Sequence, residues 1–245
     1  MKKRMIAALL AFTSTVAFAG DHGAPWSYSG ATGAEHWGQL SPAYAACSAG
    51  SNQSPVNIVD AIHGQLKPLG MHYRAGGQQA LNNGHTVQVN FEPGSSLDVD
   101  GRAFALKQYH FHAPSENHIN GQSFPLEVHL VHADADGRLA VVAVMFKEGE
   151  ANPALARVWK QMPEHAGDNA QLAKAVSAAA LLPASHDYYR FNGSLTTPPC
   201  SEGVRWLVMK QPVTASAAQI KAFADVLHEP NNRPLQPINA RLIVE

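Results

Sequence analysis

The sequence has little of what would announce a charged or membrane-bound partner. Its 245 residues carry a formal charge of −1, which argues against a nucleic-acid partner, for which a basic stripe would be expected. Past the N-terminus, no run reaches the eighteen or so consecutive apolar residues that a membrane helix needs, which excludes stable membrane insertion. Cysteine is scarce: Cys47 and Cys200 are the only two. In an oxidising compartment such a pair is most simply one disulfide, two buried thiols being the alternative. No internal repeat, low-complexity tract or charged linker marks a domain boundary. Neither H-E-x-x-H nor H-x-H-x-D-H occurs, which argues against a zinc hydrolase of those patterns.

What is present begins with a leader. Lys2, Lys3 and Arg4 form a basic region, Met5 to Phe12 an apolar one, and Ala17-Phe18-Ala19 a small-x-small cleavage signal, which together predict a signal peptide over residues 1–19. An uncleaved signal anchor is the alternative. The mature chain, residues 20–245, is then expected to be periplasmic or secreted, as a monomer or homodimer. Its length suits one large unit or two small ones, and the 45% hydrophobic content of the full sequence is enough for a sizeable core.

Alternating apolar and polar residues predict strands at Thr86–Phe91, Ser96–Val99, around 108–112 and 127–132, at Leu139–Phe146 and at Val204–Met209. Asn82-Asn83-Gly84, Asp100-Gly101, Asn120-Gly121 and Asp136-Gly137 punctuate them as turns. Helical patterning is confined to about Pro153–Gln161 and Ser216–Val226, with a shorter stretch near Ala170–Ala180. Residues 20–60 read as an irregular arm, and sixteen prolines suit ordered loops over a sheet better than a helical fold. The expected fold class is mainly β, a single domain built on a largely antiparallel sheet.

The chemistry is concentrated in Gln108-Tyr109-His110-Phe111-His112 and Glu127-Val128-His129. On a strand, Gln108, His110 and His112 project to one side and Tyr109 and Phe111 to the other. Glu127, His129 and Val131 likewise share a face, opposite Val128, Leu130 and His132. H-x-H alone is also found in strands as partly exposed histidines. A third histidine with polar neighbours on its own face points instead to a metal, because three imidazoles leave a tetrahedral zinc one open position. A ligating imidazole also needs an acceptor for its second N–H, and Gln108 and Glu127 are placed to provide one.

Other blocks extend the pattern: Ser54-Pro55-Val56-Asn57-Ile58, Asn83-Gly84-His85, Ser115-Glu116-Asn117-His118, Leu126-Glu127-Val128-His129-Leu130-Val131-His132, Gly193-Ser194-Leu195-Thr196-Thr197-Pro198-Pro199 and Asn232-Arg233-Pro234-Leu235-Gln236-Pro237-Ile238-Asn239. In these blocks, and in their order, the chain resembles the α-class carbonic anhydrases, and its cysteine pair and leader resemble the secreted bacterial branch, in which the equivalent cysteines form a disulfide. The resemblance implies a central, strongly twisted, mostly antiparallel sheet with short peripheral helices. It implies reversible hydration of CO2 to bicarbonate and a proton through zinc-bound hydroxide, the ion lowering its water's pKa to about 7, a value established for carbonic anhydrase itself.

Residue by residue, the resemblance assigns Zn2+ to His110, His112 and His129, with Gln108 and Glu127 behind them. Thr196 matches a residue whose hydroxyl aims the nucleophile by donating to a carboxylate, here Glu116, and Thr197 lies beside it. Val131, Val141, Leu195 and Trp206 match an apolar wall for CO2, although taken alone such residues would be read as plain core. His85 matches a proton shuttle, and Tyr28 a tyrosine near the active-site water; a lone His after a turn would otherwise be read as a surface residue. Two rivals differ in class. A cupin-like metalloenzyme would use Glu116 as a ligand in His110-x-His112-x3-Glu116, but its second Gly-rich, His-containing motif is absent. A non-catalytic binding module, like relatives that have lost a zinc ligand, would show no turnover.

Overall fold

The computed structural model describes residues 23–245; the expected signal peptide, 1–19, and the expected terminus at Gly20 lie outside the described residues. The strands are β1 (Asn57–Ile58), β2 (Gly70–His72), β3 (Gly77–Asn82), β4 (Val87–Phe91), β5 (Ser96–Val99), β6 (Arg102–His112), β7 (His118–Ile119), β8 (Leu126–Ala133), β9 (Leu139–Glu148), β10 (Asn169–Val176), β11 (Tyr188–Ser194), β12 (Glu202–Met209) and β13 (Val213–Ala215). Eleven of them form one sheet whose main path runs β10-β3-β4-β6-β8-β9-β12-β11. Its pairs are antiparallel except where β9 meets β12 and β13, so the expected mainly β, mostly antiparallel architecture is what forms. Asp100 and Gly101 join β5 to β6 with φ of 55° and 71°, the hairpin conformation an Asp-Gly pair favours.

Among the described residues four α-helices sit around the sheet: α1 (Trp37–Leu40), α2 (Ala46–Ala49), α3 (Pro153–Trp159) and α4 (Ala217–Leu227). The last two start where their sequences dictate. Asn152 Oδ1 accepts the N–H groups of Ala154 and Leu155 ahead of Pro153, and Ser216 with Gln219 forms a reciprocal cap on α4. The helical expectation near Ala170–Ala180 is wrong. Those residues form β10 and a short 3-10 turn at Ala178–Leu181. The stretch buries Leu172 and Val176, and a four-residue spacing puts two side chains on one side of either a helix or a strand. The free edge of β3 resolves the ambiguity by pairing with β10.

The centre of the sheet is buried on both faces, as alternate residues of β9 show. Ala140, Val142, Val144 and Phe146 enter the larger core with residues of α3 and α4, whereas Val141, Ala143 and Met145 enter a second core with Trp206 and Val208. A bulge in β6 decides which side chains reach the second face. Between the pairs Leu106↔His132 and Gln108↔Val131, β6 advances two residues while β8 advances one. Phe104 and Leu106 therefore face the large core before the bulge, and Tyr109 and Phe111 face it afterwards. Gln108, His110 and His112 are thereby turned to the opposite face.

Candidate metal centre

Beyond the bulge, His110 pairs with His129 and His112 with Glu127 across adjacent strands. Cross-strand neighbours are only about 5 Å apart, so residues distant in sequence share a small volume. Among the described residues, His110, His112 and His129 form the one group of three or more potential metal ligands, with one ligand atom from each lying within 4.8 Å of the others. Every ring has one nitrogen already engaged. His110 Nδ1 donates to Gln108 Oε1 at 2.8 Å, His112 Nδ1 to the Asn231 carbonyl at 2.7 Å, and His129 Nε2 to Glu127 Oε1 at 2.8 Å. This leaves Nε2, Nε2 and Nδ1 free. Burial lowers the pKa of all three rings, helped at His110 and His129 by neighbouring imidazoles. Neutral imidazole is the form a metal takes.

Two buried atoms here lack any protein partner, His112 Nε2 and Glu116 Oε2, and they lie 3.5 Å apart, with His129 Nδ1 3.9 Å from the same carboxyl oxygen. Orphaned buried polar atoms are costly. Their convergence with two further anchored imidazoles is what a cation with an oxygen ligand would satisfy, so the donor set fits zinc.

The carboxyls beneath are held rigidly. Glu127 accepts four hydrogen bonds, from His129, the Asn117 side chain, and the backbone N–H groups of Glu116 and Asn117. Burial raises its pKa and these donors oppose the rise. Glu116 is pushed well up by burial; the backbone N–H of Arg233, at 2.9 Å from Oε1, opposes this. Thr196, itself buried, is near enough to favour the ionised carboxyl, yet no hydrogen bond of good geometry joins it to Oε2. The Thr196 loop is set by two backbone bonds, Leu195 N–H to the Ser201 carbonyl at 3.0 Å and Cys200 N–H to the Thr197 carbonyl at 2.8 Å. It is tied to the N-terminal arm by the Cys47–Cys200 disulfide, Cα–Cα 5.0 Å, so the single-disulfide expectation holds. Gly193 lets the loop approach its support, since a Cβ there would collide with Ser54 Oγ and the Trp206 ring.

Val131, Val141, Leu195 and Trp206 are brought together in one apolar cluster, with the Trp206 ring edge-on to His129 at 4.9 Å between centroids. Opposite in character is a hollow of about 130 Å3 lined by Tyr28, His85, Gln88, Gln108 and Thr197 together with His110 and His112. Larger hollows of about 490 and 480 Å3 flank Leu66–Leu69 elsewhere, but no cluster of ligating groups accompanies them. His85 is half-buried and stacked on Trp26, centroids 3.7 Å apart. Tyr28 lies edge-on to the same ring at 6.4 Å, its pKa raised well above the ordinary value by burial and then by Glu116 and Glu229.

Sequence reasoning missed Asn231, whose carbonyl anchors His112, together with Asn117 and Trp26. Asn117 stands inside a quoted block and Asn231 immediately before another, so position offered a signal although neither side-chain type did.

The model of the eukaryotic-type carbonic anhydrases matches residues 32–245. A carbonic anhydrase of Pectobacterium atrosepticum is 52% identical over 219 residues, covering 89% of this chain and 90% of that protein; one of Neisseria gonorrhoeae is 45% identical over 238 residues, covering 97% and 94%. The solved structure of an α-carbonic anhydrase from Thermovibrio ammonificans with the inhibitor sulfanilamide superposes with a TM-score of 0.90 at 48% identity, covering 91% of this chain and all of that one. With a mainly β sheet, a cluster of three histidines able to hold a metal ion and a match through nearly all of its described length, the chain belongs to the α-class carbonic anhydrases, zinc enzymes of reversible CO2 hydration.

Proposed function

We propose that His110 Nε2, His112 Nε2 and His129 Nδ1 hold the catalytic zinc, while Thr196, Glu116, His85 and the apolar wall divide the remaining work. Bound zinc supplies a Lewis acid that makes hydroxide available from water near pH 7, as known for carbonic anhydrases. Gln108, Glu127 and the Asn231 carbonyl fix the tautomer and aim of the three rings. The Thr196 hydroxyl donates to Glu116 Oε2, the orphaned acceptor, and its own lone pair is then free to accept a hydrogen bond from the O–H of the nucleophile. One oxygen lone pair is thereby turned toward substrate. The Thr196 backbone N–H meets the developing bicarbonate oxygen, with Thr197 beside it.

CO2 carries no charge and no net dipole, so Val131, Val141, Leu195 and Trp206 can accept it without leaving a buried polar group unpaired. His85 takes the released proton outward and Tyr28 borders its path. Export to the periplasm or beyond accompanies this function, supported by the leader and the disulfide.

The observation that carries the assignment is the convergence of three neutral imidazoles, each with its opposite nitrogen anchored. The test is CO2 hydration by the purified protein before and after chelation, with zinc content measured in parallel. One zinc per chain and loss of turnover on its removal are expected, as is inhibition by sulfanilamide. His110→Ala, His112→Ala and His129→Ala should each do the same as chelation. Full zinc occupancy with near-normal turnover would remove that residue from the ligand set. Absence of turnover in zinc-loaded protein would favour a binding module, and preference for iron or manganese a cupin-like chemistry.

A further inference from the structure

An acidic side chain close enough to His85 to act on its charge is left unused by this chemistry. Glu229 follows His228, whose left-handed backbone, φ 65°, ends α4. It precedes by two residues Asn231, whose side chain donates to the His85 carbonyl at 3.0 Å. From the other direction, Glu229 Oε2 accepts a hydrogen bond from Ser29 Oγ at 2.5 Å. Ser29 belongs to the arm that lays Trp26 flat on the His85 ring, with 9° between the planes, and sets Tyr28 edge-on to it. Two segments 200 positions apart thus hold His85 between them, and Glu229 joins one to the other.

We propose that Glu229 is a positioning residue for proton export: its carboxylate pins the arm that stacks on His85 and sets a negative charge beside an imidazole that must become an imidazolium. The proposal rests on His85 being the proton acceptor. The titratable groups around that ring leave few other sources of charge. Tyr28 from the arm is a neutral phenol, since burial holds its pKa up; His110 and His112, which line the same hollow from β6, are held neutral by burial. Burial lowers the His85 pKa and the Glu229 charge raises it. Glu229 thus offsets part of the burial cost and keeps the acceptor matched to a donor that titrates near pH 7.

The test compares Glu229→Gln, which removes the charge but can still accept from Ser29, with Ser29→Ala, which removes the bond but keeps the charge. CO2 hydration is followed on the zinc-loaded enzyme in weak buffer across pH. Glu229→Gln should lower kcat roughly two- to threefold at neutral pH, the scale of one partly screened charge. The midpoint of the kcat–pH profile should move down by a few tenths of a unit, and kcat/KM should hold. The deficit should shrink in about 0.5 M salt and on adding imidazole buffer. Ser29→Ala should show a smaller effect of the same kind.

An unchanged kcat in Glu229→Gln, with His85→Ala impaired, overturns the role of Glu229 and leaves the shuttle standing. If His85→Ala is itself unimpaired in weak buffer, the shuttle assignment fails, and this proposal with it. A parallel fall in kcat and kcat/KM, insensitive to salt, would mark Glu229 as a structural support instead.

Discussion

His132 lies in β8 on the face away from His129, fully buried, and its surroundings admit one protonation state. The Ala140 carbonyl can only accept, so Nδ1 carries the hydrogen at 3.2 Å, and Nε2 is left to accept from the Tyr73 hydroxyl at 2.9 Å. Burial lowers its pKa from 6.5 to about 4, against the smaller opposing effect of the Ala140 and Leu130 carbonyls. As pH falls, the unfolded chain therefore takes up this proton first. The stability contribution is complete above about pH 6.5, is lost progressively below it, and levels off near pH 4. Over the whole window the loss is about 3 kcal/mol, and at pH 5 about 2 kcal/mol.

Urea unfolding at pH 7.5 and pH 5 of the wild type and His132→Gln isolates that quantity. The variant should be less stable at pH 7.5 by roughly 1–3 kcal/mol, because it disturbs buried hydrogen bonds, yet lose about 2 kcal/mol less than the wild type on acidification. The three imidazoles of His110, His112 and His129, also held neutral by burial, are common to both proteins and cancel in the difference. Equal losses in the two proteins would refute the idea that His132 is a buried neutral imidazole with a depressed pKa.

Thr196→Ala should retain zinc and lose about 100-fold or more in kcat/KM, the cost of one positioned hydrogen-bonding group; loss of metal together with activity would show that Thr196 supports the site structurally. Cys47→Ser should lower stability by up to about 5 kcal/mol on the chain-entropy account without altering zinc content, and thiol titration of the unreduced, unfolded wild type should find no free thiol. His85→Ala should lower kcat in weak buffer with kcat/KM nearly unchanged, and imidazole should restore much of the loss; an equal fall in both constants would assign His85 a structural role.

The sequence by itself determined the elements whose signals are local. Alternation marked Ser96–Val99 to the residue, Asp100-Gly101 marked its turn, and helical patterning located the starts of two helices near Pro153 and Ser216. That His110 and His112 share a face with Gln108, and His129 with Glu127, was legible because a strand repeats every two residues, so one face can be read directly from the chain. Tertiary structure decided what spacing leaves degenerate or what the backbone supplies. Leu172 and Val176 satisfy helix and strand alike, and only the open edge of β3 made β10 a strand. The parallel seam of β9 with β12 joins segments whose apolar patterns do not encode direction. The anchor of His112 is a main-chain carbonyl 119 positions away, a group every residue possesses and no side chain advertises. Whether His110 and His112 faced His129 or the larger core depended on one extra residue in β6, because a register shift of one position exchanges the two faces of a strand.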